Sequence, residues 1–223
     1  MTHFHDRRDA GRQLVPLLAA YRGRDDVLVL ALPRGGVPVA FEVAQSLGAP
    51  LDVFLVRKLG VPGHEELAMG AIATGGIEIL NPQVLDALGV SDEDVRRVVE
   101  RETQELARRE RAYRGERGPP HVEGRTAVVV DDGLATGASL FAAIAALRRL
   151  RPSRIVVAVP VGPESTCRSL AHAADEVACL HRPEPFGGVG TWYEDFAQTT
   201  DEEVLDLLAR ARAKPAPPKE APW

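Results

Sequence analysis

The chain contains 223 residues, of which 45% are hydrophobic and 26% are charged, and its formal net charge is −5. This length and apolar fraction suit one large domain with a full core, and the negative balance excludes a global basic field for nucleic acid. Two cysteines without Cys-x-x-Cys spacing argue against a disulfide framework and favour a reducing compartment. No apolar run follows the charged N-terminus and none reaches the ~20 residues that span a bilayer, so we expect a cytoplasmic protein without membrane contacts.

Apolar runs and helical patterns alternate along most of the chain, which predicts an α/β fold with an open, mostly parallel sheet flanked by helices. Residues 27–32 form a continuous apolar run typical of a strand buried on both faces, and residues 37–47 follow with helical spacing up to Gly48. The run 51–56 completes a βαβ unit. After residue 124 the pattern returns, predicting strands at 126–130, 155–161 and 176–180 and helices at 138–150, 165–173 and 201–213.

The middle of the chain, residues 58–124, breaks this pattern and is interpreted as an insertion into the core. The runs 67–72 and 77–80 flank Thr74-Gly75-Gly76 and predict a hairpin. Residues 91–113 predict a charged helix that begins after an N-cap serine. Because its apolar positions are sparse, we expect this helix at the surface or against a partner subunit.

The most informative segment follows the strand 126–130, where Asp131 and Asp132 precede a loop of small residues and a helix. Ligands bind at this carboxyl edge in open α/β sheets. Free amides and the dipole of a helix N-terminus favour an anion, and Thr136 and Ser139 add hydroxyl donors. Two carboxylates suit vicinal hydroxyls, a divalent cation or both. The pattern predicts a sugar phosphate; the alternative is an ordinary strand–turn–helix connection.

This order of hydrophobic strand, two acids, small residues, Thr-Gly and a hydroxyl residue resembles the phosphoribosyl-diphosphate signature of type I phosphoribosyltransferases. The resemblance implies that Asp131 and Asp132 hold the ribose hydroxyls, and a metal through water or ligand hydroxyls, while the loop end cradles the 5-phosphate. The binding residues implied here are Asp131, Asp132, Gly133, Leu134, Ala135, Thr136, Gly137, Ala138 and Ser139. Members acting on 6-oxopurines carry a third acid where this chain has Ala135, so a hypoxanthine or guanine substrate loses support.

Two further segments extend the resemblance. Arg34-Gly35-Gly36 follows the first core strand and opens a helix, as does the diphosphate loop of the family, which often has a strained or cis peptide. Arg57-Lys58 ends the second predicted core strand, where similar basic pairs in the family meet the diphosphate. The alternatives are a tight turn with a surface arginine and a solvated basic pair.

The resemblance implies Mg²⁺-dependent transfer of 5-phosphoribosyl from phosphoribosyl diphosphate to a nitrogenous base. Arg34, Lys58 and Mg²⁺ would clamp the leaving diphosphate, and Asp131 and Asp132 would favour positive charge on the ribose. Closure of residues 59–75 would exclude water. The predicted catalytic residues are therefore Arg34, Lys58, Asp131 and Asp132.

The C-terminal part is assigned to the same domain, residues 1–213, as a small hood over residues 181–213. Glycines followed by Trp192 and Tyr193 suggest an aromatic flap against the acceptor base, although core packing explains them equally well. Residues 214–223 hold four prolines and are expected to be a disordered tail.

Two rival functions stay open. One is a regulator that binds phosphoribosyl diphosphate or a nucleotide without turnover, and the other is a sugar-phosphate hydrolase or phosphorylase on the same fold, since a fold alone does not determine the reaction. Binding to nucleic acid is not expected because glutamates intersperse the arginines of the long helix. We expect a homodimer.

Overall fold

The computed structural model describes residues 3–213, so the predicted tail at 214–223 lies outside the described residues. The strands are β1 (Val27–Ala31), β2 (Leu51–Val53), β3 (Val56–Val61), β4 (His64–Ala73), β5 (Ile77–Leu80), β6 (Thr126–Val130), β7 (Arg154–Val161) and β8 (Glu176–His181). The α-helices are α1 (Arg7–Leu14), α2 (Gly36–Leu47), α3 (Pro82–Leu88), α4 (Asp92–Arg114), α5 (Ala138–Arg149), α6 (Glu164–Leu170) and α7 (Asp201–Arg212). Short 3-10 helices cover Val15–Tyr21 and Val189–Trp192.

A five-stranded parallel sheet in the order β2-β1-β6-β7-β8 forms the centre of the molecule. Every residue of β1 and β6 is buried, because alternate side chains enter apolar clusters on opposite faces of the sheet. Helix α2 belongs to one cluster and α5 to the other. The predicted open parallel sheet flanked by helices is therefore confirmed.

The second predicted strand, 51–56, is confirmed at its start, but its predicted end is wrong because β2 ends at Val53. The chain leaves the parallel sheet after Val53, and β3 instead pairs antiparallel with β4, which pairs with β5. Phe54 and Leu55 are buried at this change of direction, and the amide of Leu55 donates to the Thr74 hydroxyl at 2.9 Å. The predicted hairpin is confirmed, and most of 59–75 is strand rather than loop.

The long charged helix α4 is confirmed, with the Ser91 hydroxyl accepting from the amide of Asp94 at 3.2 Å. The sequence suggested the surface or a partner subunit, whereas the helix packs against its own chain. The helix packs on β3, β4 and α7. Its buried apolar residues, which join the larger core cluster, are Val95, Val98, Leu106 and Tyr113.

The N-terminal segment and the hood form a third, smaller cluster over the carboxyl edge of the sheet. Phe4 forms an isolated bridge with Tyr193, and both pack with Trp192. Helix α1, which the sequence analysis did not predict, begins after Asp6, whose carboxylate accepts from the amide of Asp9 at 2.7 Å. Among the described residues, no helix is long and apolar enough to cross a bilayer.

Candidate active site

Asp131 begins the connection from β6 to α5 and lies at the carboxyl edge of the sheet. One oxygen of its partly buried carboxylate accepts from the amide of Asp132 at 2.9 Å. Within the described range, no cation pairs with Asp131. Burial, followed by the negative charge of Asp132, raises the pKa of Asp131 well above its ordinary value. An acid in this environment gains from an added cation or a hydroxyl donor.

Asp132 is held by residues that come from both ends of the domain. Nε of Arg7 lies 2.8 Å from Oδ2 of Asp132, and the two side chains are only 11% and 17% exposed. The Tyr193 hydroxyl donates to the carbonyl of Asp132 at 2.5 Å. The other carboxylate oxygen, Oδ1, has no protein donor among residues 3–213, so one carboxylate oxygen remains for a ligand.

The loop that enters α5 has the geometry of an anion cradle. Gly137 is the N-cap, with φ of 78°, and neither a side-chain cap nor a first-turn acid satisfies the helix start. For the described chain, the amides of Thr136, Gly137 and Ser139 reach no protein acceptor. The hydroxyl residues Thr136 and Ser139 are exposed. Free amides at a helix N-terminus bind anions well.

Neighbouring elements fix this cradle in place. The amide of Leu134 donates to the carbonyl of Val161 at 2.8 Å, and the Thr166 hydroxyl on α6 donates to the carbonyl of Ala135 at 3.0 Å. An ideal Cβ on Gly133 would lie 2.4 Å from a methyl of Val189, so the hood touches the loop directly. The cradle opens into a cavity of about 150 Å³, which accommodates several waters or a phosphoryl group.

The Arg34-Gly35-Gly36 segment packs directly on the acid pair. A Cβ on Gly35 would lie 2.1 Å from Oδ2 of Asp132, and one on Gly36 would lie 2.6 Å from the carbonyl of Val130. The Pro33–Arg34 peptide is cis. The Arg34 guanidinium is partly exposed and lies 3.7 Å from the carboxylate of Asp201. Both glycines are therefore needed for the close approach of the two loops.

Arg57 and Lys58 lie inside β3, so the prediction that they end a core strand is wrong. Arg57 donates through Nε to buried Glu102 of α4 at 2.8 Å. Lys58 is exposed and lies 3.4 Å from the carbonyl of Glu66. Because the chain leaves the parallel sheet at Phe54, this basic pair lies on a strand of the antiparallel hairpin sheet instead.

One cleft nevertheless brings several predicted residues together. It is lined by residues of both loops, of the hairpin sheet and of α4, including Pro33, Arg57, Arg109, Asp131 and Ser139. Arg109 was missed by the sequence analysis, because only the packing of α4 determines which of its many arginines faces the cleft.

Trp192 and Tyr193 do not form the free aromatic flap suggested above. They are 8% and 6% exposed, and the Trp192 indole donates to the carbonyl of Phe186 at 3.1 Å. Packing against Phe4 explains their burial, as the alternative interpretation held. The exposed aromatic ring here is Phe196, which lies 4.0 Å from the guanidinium carbon of Arg7.

The site fits a hydrated magnesium ion better than a metal held only by protein. No group of three or more metal-ligating side chains occurs in the described part of the chain. Magnesium usually keeps several waters and binds one or two carboxylates together with substrate phosphates. Asp131, which pairs with no cation among the described residues, and Oδ1 of Asp132 are the groups that would hold such an ion.

The site and the fold together define the class of protein. Residues 12–190 match the profile of the phosphoribosyl transferase domain, and the chain belongs to this family. This membership confirms the resemblance to type I phosphoribosyltransferases.

Several relatives share most of this chain. Two proteins from strains of Mycobacterium tuberculosis, provisionally named phosphoribosyl transferases, are 48% identical over 211 residues, which is 95% of this chain and 47% of theirs. The chain thus spans about half the length of these curated relatives. The crystal structure of TT1426 from Thermus thermophilus is 43% identical, with a TM-score of 0.81, and the match covers 93% of this chain and 98% of that one.

Proposed function

We propose that this protein is a Mg²⁺-dependent phosphoribosyltransferase that transfers 5-phosphoribosyl from phosphoribosyl diphosphate to a nitrogenous base and releases diphosphate. Family membership supports the general activity. The observation that carries the assignment is the juxtaposition of Asp131, which has no cationic partner in the described chain, with the uncapped N-terminus of α5. A carboxylate beside an anion cradle matches a sugar that carries both hydroxyls and a phosphate.

The sugar end of the ligand is assigned to the β6–α5 connection. Amides and hydroxyls of residues 136–139 hold the 5-phosphate, and Asp131 with Oδ1 of Asp132 accepts from the ribose hydroxyls. Breaking the bond at the anomeric carbon develops positive charge on the ribose, and nearby carboxylates stabilise that charge. Mg²⁺, held by Asp131 and Asp132 through water or ligand hydroxyls, would supply charge neutralisation at the diphosphate.

The leaving-group end is assigned to the cleft between the two loops. Arg34 and Lys58, the neighbours of the lining residues Pro33 and Arg57, provide cations. The amide of Gly35 lies before the start of α2, whereas the amide of Gly36 already donates to the carbonyl of Leu32 at 3.1 Å. These groups stabilise negative charge that grows on the diphosphate as the bond breaks. Hairpin closure over the cleft would exclude water, which otherwise hydrolyses the activated sugar.

The acceptor is proposed to be a base other than hypoxanthine or guanine. Ala135 stands where a third acid would serve a 6-oxopurine, and its methyl group cannot exchange a proton with the base. We further propose that the protein works in the cytoplasm as a homodimer.

The decisive experiment incubates labelled phosphoribosyl diphosphate and Mg²⁺ with a panel of bases. Diphosphate release that depends on one acceptor and stops when EDTA removes Mg²⁺ supports transfer. Diphosphate release without any acceptor would show hydrolysis instead of transfer. Binding of phosphoribosyl diphosphate without release of diphosphate would identify a sensor.

A matched pair of variants tests the site within the same assay. D131N/D132N should abolish binding of phosphoribosyl diphosphate. The control is D25N/D26N, which changes the tandem aspartates that precede β1 at the opposite edge of the sheet. Equal binding by D131N/D132N and the wild type would exclude the proposed site.

A further inference from the structure

Arg7 is a nearly buried cation that directly contacts the proposed ribose-binding acid. It is the first residue of α1 and precedes the segment 12–190 that matches the family. Its partners in the hood, Phe196 and Ala197, follow that segment. The cluster consists of Arg7, Asp132, Phe196 and Ala197, and of these only Asp132 lies within the segment that matches the family.

Three contacts hold the Arg7 guanidinium in one place. Nε donates to Oδ2 of Asp132 at 2.8 Å, and Nη1 donates to the carbonyl of Ala197 at 2.7 Å. The guanidinium carbon lies 4.0 Å from the centre of the Phe196 ring. A planar guanidinium can serve a carboxylate, a carbonyl and an aromatic face together, which a lysine ammonium cannot do with the same geometry.

This arrangement gives the two acids different tasks. Arg7 donates to one oxygen of Asp132 and fixes the orientation of its carboxylate, whereas Oδ1 has no protein donor among the described residues. Asp131 has no such partner among the described residues and stays available to a cation. With Asp131 and Asp132 both ionised, Arg7 reduces the net charge of the three side chains from −2 to −1, which lowers the repulsion that a 5-phosphorylated sugar meets.

The hood is also attached to the backbone of Asp132. The Tyr193 hydroxyl donates to the carbonyl of Asp132, and the same ring lies 5.0 Å from that of Phe196. Asp132 is thus held at its carboxylate by Arg7 and at its main chain by the hood.

We propose that Arg7 is a positioning residue of the phosphoribosyl site, which orients Asp132 toward the sugar diol and couples this acid to the hood segment 193–197. The inference rests on the proposed function only in assuming that a 5-phosphorylated ribose binds at the acid pair. Turnover is not required for it to hold.

The test compares R7Q and R7K with R8Q. Arg8 is the adjacent residue on α1 and forms a similar ion pair, with its Nε 2.7 Å from Glu42, but it does not contact Asp132. Binding of ribose 5-phosphate and of inorganic diphosphate is measured by calorimetry on each protein, and the melting temperature is recorded. Inorganic diphosphate probes the leaving-group end, which Arg7 does not touch.

We expect R7Q to weaken ribose 5-phosphate binding by about tenfold or more, since a charge-assisted hydrogen bond that orients the acid is lost. Diphosphate binding should stay within about twofold. R7K retains the charge but lacks the planar set of guanidinium donors, so its affinity for ribose 5-phosphate should lie between those of R7Q and the wild type. R8Q should bind both ligands as the wild type does.

The proposal fails if R7Q binds ribose 5-phosphate as tightly as R8Q. It also fails if both ligands are lost in parallel from R7Q and R7K, because that result indicates general disruption of the fold. Wild-type protein that binds ribose 5-phosphate but transfers nothing would contradict the proposed function alone. Wild-type protein that does not bind this ligand would overturn both.

Discussion

Arg57 on β3 donates to Glu102 on α4, with Nε of Arg57 2.8 Å from Oε2 of Glu102, and the glutamate is 8% exposed. This ion pair attaches the inserted helix to β3, whose Arg57 lines the cleft. The cleft therefore depends on α4, although the sequence pattern suggested a helix at the surface or against a partner subunit.

Replacing Glu102 should destabilise the protein. E102Q leaves a partly buried guanidinium without its counter-charge, so we expect the free energy of unfolding to fall by about 2 kcal/mol. For a domain of this size the melting temperature would fall by roughly 4–8 °C. The control is E93Q on the same helix, where the carboxylate is largely exposed and lies 3.9 Å from Arg97. A melting temperature for E102Q equal to that of E93Q would contradict the role of the pair.

Gly35 should tolerate no side chain. In G35A the new methyl would overlap the carboxylate of Asp132, since an ideal Cβ lies 2.1 Å from Oδ2. We expect the acid to be displaced and ribose 5-phosphate to bind about tenfold more weakly, with a stability loss of about 1–3 kcal/mol. G118A is the matched control because a Cβ there meets no atom within 4 Å. Unchanged binding by G35A in calorimetry would show that Asp132 need not hold this position.

Arg109 should contribute to diphosphate binding and its neighbour should not. Arg108 and Arg109 both pair with Glu105, at 2.7 and 2.8 Å, but only Arg109 lines the cleft with Asp131. R109Q should weaken binding of inorganic diphosphate by roughly tenfold, the usual effect of losing one charge-assisted hydrogen bond. R108Q should leave the affinity within about twofold. If the two variants bind diphosphate alike, the cleft does not bind it through α4.

Asp131 should make the ligand-free protein less stable as the pH rises. Its pKa in the folded state is raised by burial and by the charge of Asp132, so the folded chain binds the proton more tightly than the unfolded chain. The stability associated with the protonated acid is present at low pH and is lost as the pH rises through the folded-state pKa. D131N resembles the protonated form and should therefore melt above the wild type at pH 7.

The measurement is the difference in melting temperature between D131N and the wild type from pH 4 to pH 8. The difference should shrink as the pH falls toward the ordinary pKa of an aspartate, because the wild-type carboxylate then carries its proton. Each 1 kcal/mol corresponds to about 2–4 °C in a domain of this size. A difference that is constant across this range, or that grows toward low pH, would contradict the raised pKa.

Short-range patterns in the sequence predicted most of the fold and the loop that enters α5. The β6 strand, the two acids, the small loop and α5 are consecutive, so periodicity and helix-end chemistry predict them together. A capping signal likewise predicted the start of α4, and the same chemistry begins α7: Ser91 and Thr200 accept from amides three residues later. These features depend on neighbours within one or two turns of the chain.

Only the tertiary structure decided which side chains surround the acids. Arg7 meets Asp132 across 125 positions of the chain, and Arg57 meets Glu102 across 45. Trp192 is buried rather than free because Phe4 packs against it. Such contacts follow from how separate elements pack, and no local pattern distinguishes Arg7 from Arg8 or Arg109 from Arg108. The sequence by itself predicted where a sugar phosphate binds, because the residues concerned are consecutive, whereas packing decided which charged side chains surround the two acids.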